Sequence, residues 1–150
     1  MKTRQAENRG IDKRIFDFIC ATYPNVPYFQ SLENLSIAYL DKGRAGLRVE
    51  PELKYTTSDW RLHGGVVATL LDIAMHAAIH TLGLVCLTLD MTTNYLAPAI
   101  CQEGLNVEGA VINVGKSVTV AEGNLYDNHG KLVATARGTF TTRSGIVGER

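Results

Sequence analysis

The chain has 150 residues, 45% of them apolar and 20% charged, the proportions of an ordinary globular protein long enough to bury one real core. Its 15 basic residues balance 15 acidic ones. Zero net charge gives no support to a nucleic acid, an anionic membrane or a polycationic partner, although it leaves room for a local basic spot.

The first nine residues are polar and lack the apolar core of a signal peptide, so a cytoplasmic protein is expected. Residues 11–23 place Ile11, Ile15, Phe16, Phe18, Ile19 and Ala21 mostly on one helical stripe. They predict a short amphipathic helix, within an N-terminal helical extension over 1–30. Residues 32–50 read as a hairpin with its turn at Asp41-Lys42-Gly43, and residues 51–62 as a polar loop. Cys20, Cys86 and Cys101 are odd in number and form no CxxC pair. They suit free thiols in a reducing compartment better than a disulfide framework or zinc ribbon.

Residues 65–81 form the central feature. Val66, Val67, Ala68, Leu70, Leu71, Ile73, Ala74, Met75, Ala77, Ala78 and Ile79 cover every side of a helical wheel, so this helix must be buried on nearly all faces. Its three ionisable groups, Asp72, His76 and His80, argue against a membrane span. After Gly83 the period becomes two, with strands expected over 87–95, 105–114, 117–126 and 132–142 and a turn at Asp127-Asn128-His129-Gly130. One antiparallel sheet of five or six strands wrapped around one long central helix satisfies this order: an α+β hotdog fold, as a single domain over 1–150. Uncovered sheet edges and helix surface predict at least a dimer.

His63-Gly64-Gly65 stands where the loop meets that helix. Two glycines let a ligand approach the main chain, and the first helical amides lack internal partners and sit at the positive end of the dipole. An N–H placed there could polarise a thioester carbonyl; the same pair also suits a tight turn alone. Asp72, among Leu70, Leu71, Ile73 and Ala74, is a poor mid-helix residue in an apolar setting. A buried carboxylate there is either a base or nucleophile in a dry site, or one satisfied by a hydroxyl or by His76 one turn later. Gly65 and Asp72 are seven residues apart, about 10 Å along a helix. One carbonyl meets both poorly, so two antiparallel copies of the helix should share the site across a dimer axis. Asp72, His76 and His80 have a spacing that could ligate a metal, but no further ligand cluster accompanies them, and none is expected. His63 can orient the loop or transfer protons. Gly115-Lys116-Ser117, at the start of a strand, could hold a phosphate. Thr57-Ser58-Asp59 supplies hydroxyls near the helix start.

Over residues 47–142 these features together resemble the phenylacetate-type family of hotdog acyl-CoA thioesterases. The likeness is carried by His63-Gly64-Gly65, by Asp72 after six intervening residues and by Asn94-Tyr95-Leu96-Ala97-Pro98-Ala99. Gly115-Lys116-Ser117 and Ala136-Arg137-Gly138-Thr139-Phe140 complete it. The resemblance implies that Gly65, beside His63, polarises the thioester carbonyl, while Asp72 of the neighbouring subunit attacks it or activates water. It implies that Thr88 helps position water, and that Thr57, Gly64, Tyr95, Asn113, Val114, Gly115, Lys116, Ser117, Val118 and Thr141 contact substrate or coenzyme A. Coenzyme A is then part of the substrate, no cofactor is needed, and the homo-oligomer is a dimer of dimers. One departure stands out: the family commonly has Asn-Pro-x-Gly beginning six residues before the histidine, where this chain has Thr57 and, for the glycine, Trp60. A hotdog hydratase or dehydratase pairing His63 or His76 with Asp72, and a non-catalytic acyl-CoA-binding module, are the alternatives.

Overall fold

The computed structural model describes residues 5–32, 34–101 and 104–145. Strand β1 (Glu7–Asn8) leads into helix α1 (Lys13–Thr22), a single 3-10 turn (Tyr23–Asn25) and the short helix α2 (Pro27–Ser31). The hairpin β2 (Leu35–Asp41) and β3 (Arg44–Val49) follows, then the long helix α3 (Gly64–His80). Four long strands complete the chain: β4 (Leu84–Tyr95), β5 (Leu105–Val114), β6 (Val118–Tyr126) and β7 (Leu132–Ser144). They form one seven-stranded sheet in the order β1-β2-β3-β5-β6-β7-β4. Every pairing is antiparallel except the two-residue contact of β1 with β2. The expected five or six strands are therefore seven. The extra one is β1, too short to show a period in sequence.

Helix α3 lies on the inner face of this sheet, against β3, β4, β5, β6 and β7. Leu70, Leu71, Ala74, Met75, Ala77, Ala78 and Ile79 are at most 1% exposed. A leucine buried this completely contributes about 1.5–3 kcal/mol. The close approach depends on Gly109 of β5, where a Cβ would overlap the backbone carbonyl of Ala74. The helix ends in a left-handed turn at Gly83, with φ 73°, that sends the chain into β4. Thr81 binds this end to the first hairpin: its hydroxyl donates to the Ala78 carbonyl and accepts from the Gly43 amide at 2.8 Å.

The helix is not covered on all sides. Val66, Thr69, Asp72, Ile73 and His76 are only partly buried and Gly65 is exposed, the uncovered helix surface expected beside faces that are otherwise buried. Beside this open stripe runs β4, the outermost strand of the sheet. Its Leu87 is 73% and its Leu89 56% exposed, and a bulge between Thr88 and Asp90 interrupts its pairing with β7. A long apolar free edge of this kind invites another strand. Among the described residues no helix is long and apolar enough to cross a membrane.

Candidate active site

The start of α3 is fixed by backbone and side chain together. The His63 amide donates to the Tyr55 carbonyl at 2.9 Å, and the His63 carbonyl accepts from Val66 and Val67. His63 is also the N-cap: its Nδ1 accepts from the Gly65 amide at 3.1 Å. The donor predicted to polarise a carbonyl is thus occupied by a side chain in the free chain. Both His63 and Gly65 are exposed, so the contact is accessible to a competing acceptor. The Tyr95 hydroxyl donates to the Gly64 carbonyl at 2.9 Å and pins the helix start to the end of β4. A Cβ on Gly64 would stand 3.4 Å from the Tyr95 ring, in van der Waals contact with it. Arg61, Leu62, Gly64, Val67, Tyr95 and Pro98 line an open cleft at this end.

The preceding loop is closed on itself. The Thr57 amide donates to the Arg61 carbonyl at 2.8 Å, and the Thr57 hydroxyl donates to Asp59 Oδ1 at 2.6 Å. Arg61 pairs with Asp59 at 2.5 Å. The Thr57 hydroxyl first and Arg61 second hold the Asp59 carboxyl below the usual carboxylate range. Thr57, predicted to face substrate, has its hydroxyl engaged within the loop. Trp60 takes φ 67°, left-handed backbone that favours glycine. The position where the resembling family has glycine keeps the glycine conformation with an indole on it.

Asp72 is not the fully buried carboxylate that its neighbours suggest; its side chain is 33% exposed. Both partners that could satisfy it are present. The Thr88 hydroxyl donates to Oδ1 at 2.9 Å. His76 Nδ1 lies 3.0 Å from the Asp72 carbonyl oxygen and 3.4 Å from Oδ2. The apolar residues around Asp72 in sequence point mostly to other sides of the helix, and Asp72 shares the open stripe with Thr69 and His76.

One turn further, His80 belongs to a network that sequence reasoning missed. Its Nδ1 is hydrogen-bonded with the Tyr23 hydroxyl at 2.7 Å, and its Nε2 lies 3.7 Å from Cys86 Sγ. Burial, with His76 adding to it, pushes His80 down to about 4. Burial and the nearby Asp72 charge push the Cys86 thiol up to about 12. Tyr23 is raised by burial first. Fifty-seven residues separate Tyr23 from His80, and no spacing rule links such a pair. The Asp72, His76, His80 ladder is divided between these contacts, and among the described residues no cluster of three or more His, Cys, Asp or Glu forms a possible metal site.

The residues expected to contact coenzyme A fall into two groups. Gly115, Lys116 and Ser117 form the β5–β6 turn rather than a strand start. The turn is closed by the Gly115 amide on the Val118 carbonyl at 2.8 Å and the Thr142 amide on the Ser117 carbonyl at 2.9 Å. Asn113, Val114, Val118 and Thr141 flank it, all exposed. Val118 pairs with Thr141, and Thr141 with Leu87 of β4, so this turn meets one end of β4. Tyr95, Gly64 and Thr57 lie at its other end. Leu87 and Tyr95 are eight residues apart, about 27 Å along a strand. Within one chain the two groups are not brought together.

The profile of the thioesterase superfamily matches residues 61–134, from the loop before α3 into β7. The Saccharolobus solfataricus protein named "Putative esterase SSO1253" is 36% identical over 104 residues, which cover 67% of this chain and 68% of that protein. "Acyl-coenzyme A thioesterase 13" of Mus musculus is 28% identical over 123 residues, covering 76% of this chain and 84% of the relative. The structure of the PaaI protein of the E. coli phenylacetic acid degradation operon superposes with a TM-score of 0.83 at 23% identity. That match covers 91% of this chain and 99% of the other. Helix-in-sheet architecture, a matching profile that spans α3 and the strands after it and a relative above one-third identity agree, and the chain belongs to the hotdog-fold thioesterase superfamily.

Proposed function

We propose that the chain hydrolyses an acyl-CoA thioester to a carboxylic acid and free coenzyme A. The carrying observation is the Asp72 carboxylate, presented on the open stripe of α3 with one oxygen held by the Thr88 hydroxyl at 2.9 Å. Superfamily membership supplies the bond class, and the name of the mouse relative supports the acyl-CoA substrate. In this reading the thioester carbonyl oxygen displaces His63 Nδ1 from the Gly65 amide. An oxyanion is the stronger acceptor for that donor, and the dipole at the helix start favours it further. Asp72 then either attacks the carbonyl carbon or takes a proton from the attacking water. On the water route the C–S bond breaks and the proton taken up by Asp72 passes to sulfur. On the nucleophile route C–S cleavage expels the thiolate and leaves an Asp72 mixed anhydride, which water hydrolyses to the free acid while its proton goes to the thiolate. Tyr95 holds the helix start in place, and Lys116 with the amides of its turn supplies positive partners for the coenzyme A phosphates.

The site is shared between two subunits. The roughly 10 Å from Gly65 to Asp72 along one helix and the roughly 27 Å between the two ends of β4 separate groups that one substrate must touch together. Antiparallel pairing of the free β4 edges of two copies would set Tyr95 of one chain near the Leu87 end of the other. That pairing would also cover Leu87 and Leu89, and it makes a homo-oligomer, arranged as a dimer of dimers, part of the proposal.

The test is a panel of acyl-CoAs with a thiol reagent. Release of free coenzyme A supports the proposal. The contact of His76 with Asp72 favours a hydratase as second reading, and a change at an enoyl bond without thiol release would establish it. Binding without turnover of any acyl-CoA would overturn both.

A further inference from the structure

The mechanism above assigns nothing to His76, and its environment is unusually one-sided. Nδ1 faces two acceptors, the Asp72 carbonyl at 3.0 Å and Asp72 Oδ2 at 3.4 Å. A backbone carbonyl has no hydrogen to give, and an ionised carboxylate has none either, so Nδ1 must carry the proton. The ring is held in that orientation by packing. It meets Phe140 of β7 edge-on with centroids 5.1 Å apart, and His80 at 6.0 Å. Phe140 is fully buried, and His80 is itself fixed by Tyr23 and Cys86. On the other side of the carboxylate, Thr88 Oγ1 donates to Oδ1. Thr88 of β4 thus holds Oδ1 directly, while the Nδ1–H of His76 on α3, hydrogen-bonded to the Asp72 carbonyl, stands 3.4 Å from the other oxygen, Oδ2. Each carboxylate oxygen keeps lone-pair capacity for a reacting water or carbonyl, while rotation about the side-chain torsions is restricted.

We infer that His76 is a positioning residue for Asp72, acting as an Nδ1–H donor that, with Thr88, fixes the plane of the carboxylate. The inference rests on the proposed role of Asp72. Of the two neighbouring histidines only His76 has this part, because His80 faces Tyr23 and Cys86.

Three variants and one spectrum test it. His76→Asn keeps an N–H donor near the position of Nδ1 but loses the ring. His76→Phe keeps a ring against Phe140 but loses the donor. If His76 positions Asp72, kcat of the asparagine variant stays within about threefold of wild type while that of the phenylalanine variant falls about tenfold or more. KM for acyl-CoA is unchanged in both. A packing role reverses the order, and that reversal overturns the inference. Nitrogen-15 spectra of the wild-type imidazoles at neutral pH should show Nδ1 of His76 protonated; an unprotonated Nδ1 with the proton on Nε2 also overturns it, independently of how the variants fold. Asp72→Ala separates the two levels of argument. Full activity of that variant removes the proposed role of Asp72 and this inference together. An inactive Asp72→Ala beside a fully active His76→Phe removes the inference alone.

Discussion

The two ends of α3 carry polar groups in different conditions. At its start the atoms proposed to act on substrate belong to the main chain, are exposed, and are held by contacts open to competition, such as His63 Nδ1 on the Gly65 amide. At its far end His80 is packed away, displaced in pKa and bonded on both nitrogens. Asp72 and His76 stand between, bonded like the far end and partly open like the start. A backbone donor needs only the right loop to present it, whereas a side-chain acid on a helix needs neighbours on other elements to orient it. The difference accounts for Asp72 having neighbours from β4 as well as α3, while the Gly65 amide has only its own cap.

The largest expected effect lies in the middle of the helix. Asp72→Ala should lower kcat about a hundredfold or more, with Asp72→Asn somewhat milder, while circular dichroism and oligomeric state stay as in wild type. Hydrolysis near the wild-type rate by the alanine variant would place the chemistry elsewhere, and the contrast drawn along α3 would lose its meaning for function.

Next comes whether the start and the middle of one helix serve the same site. Gly65→Pro removes the amide donor from a chain whose acid is intact, and Asp72→Ala does the opposite. Random exchange of the two inactive variants makes mixed dimers half of the population. Each mixed dimer has one site with neither lesion, so up to about a quarter of wild-type activity should return. Exchange is followed by mass-tagged subunits, and the Gly65 variant is first shown to be folded and dimeric. A mixture as inactive as its parents would mean that each site is built within one chain.

The far end of the helix should register in stability rather than rate. Folded His80 takes a proton only near pH 4, against an unfolded value of 6.5. Between these values the unfolded chain holds more protons, so stability rises with pH across the window and is lost as pH falls through it. The displacement corresponds to about 3 kcal/mol. His80→Gln, which can still bond Tyr23, lacks this dependence. Urea unfolding of both proteins at pH 7 and pH 4, at one protein concentration, should show the wild type losing about that much more. Equal losses would mean that His80 is protonated in the fold.

Most of the architecture was legible because it depends on periodicity. The all-round apolar run over 65–81 required a helix with a sheet around it, and the alternation after Gly83 required strands. Of the candidate site, contacts were legible where they are local in sequence, as in the helix start at His63-Gly64-Gly65 and the hydroxyl and histidine neighbours of Asp72. What escaped depends on distance in the fold. Tyr23 and Cys86 meet His80 only because the 3-10 turn after α1 and strand β4 flank the end of α3. The exposure of Asp72 depends on which stripe the sheet leaves uncovered, and the occupied state of the Gly65 amide on a χ angle of His63. A seven-residue spacing gives a distance along an axis but not which residues lie at the opposite ends of β4.

The smallest expected effect concerns the loop that delivers His63. Trp60 holds φ 67°, a conformation that costs a residue with a Cβ about 1–2 kcal/mol. The indole is 50% exposed, so its burial offsets little of this. The surroundings enforce it instead: the Thr57 amide bonds the Arg61 carbonyl, the Trp60 carbonyl accepts from the Cys101 amide at 2.9 Å, and the Leu62 amide bonds the Ala99 carbonyl at 2.8 Å. Trp60→Gly and Trp60→Ala both remove the indole and differ only in the backbone. Glycine escapes the left-handed penalty but raises the entropy of the unfolded chain by about 0.4–1 kcal/mol. The glycine variant should therefore be the more stable of the two by roughly 0.5–1 kcal/mol, a shift of about 2 °C for a chain of this size. Paired thermal melts resolve this if both variants are measured at one concentration. An alanine variant at least as stable as the glycine one would show that the loop relaxes once the indole is gone, and that the side chain, rather than the ring of backbone bonds, holds Trp60 in its conformation.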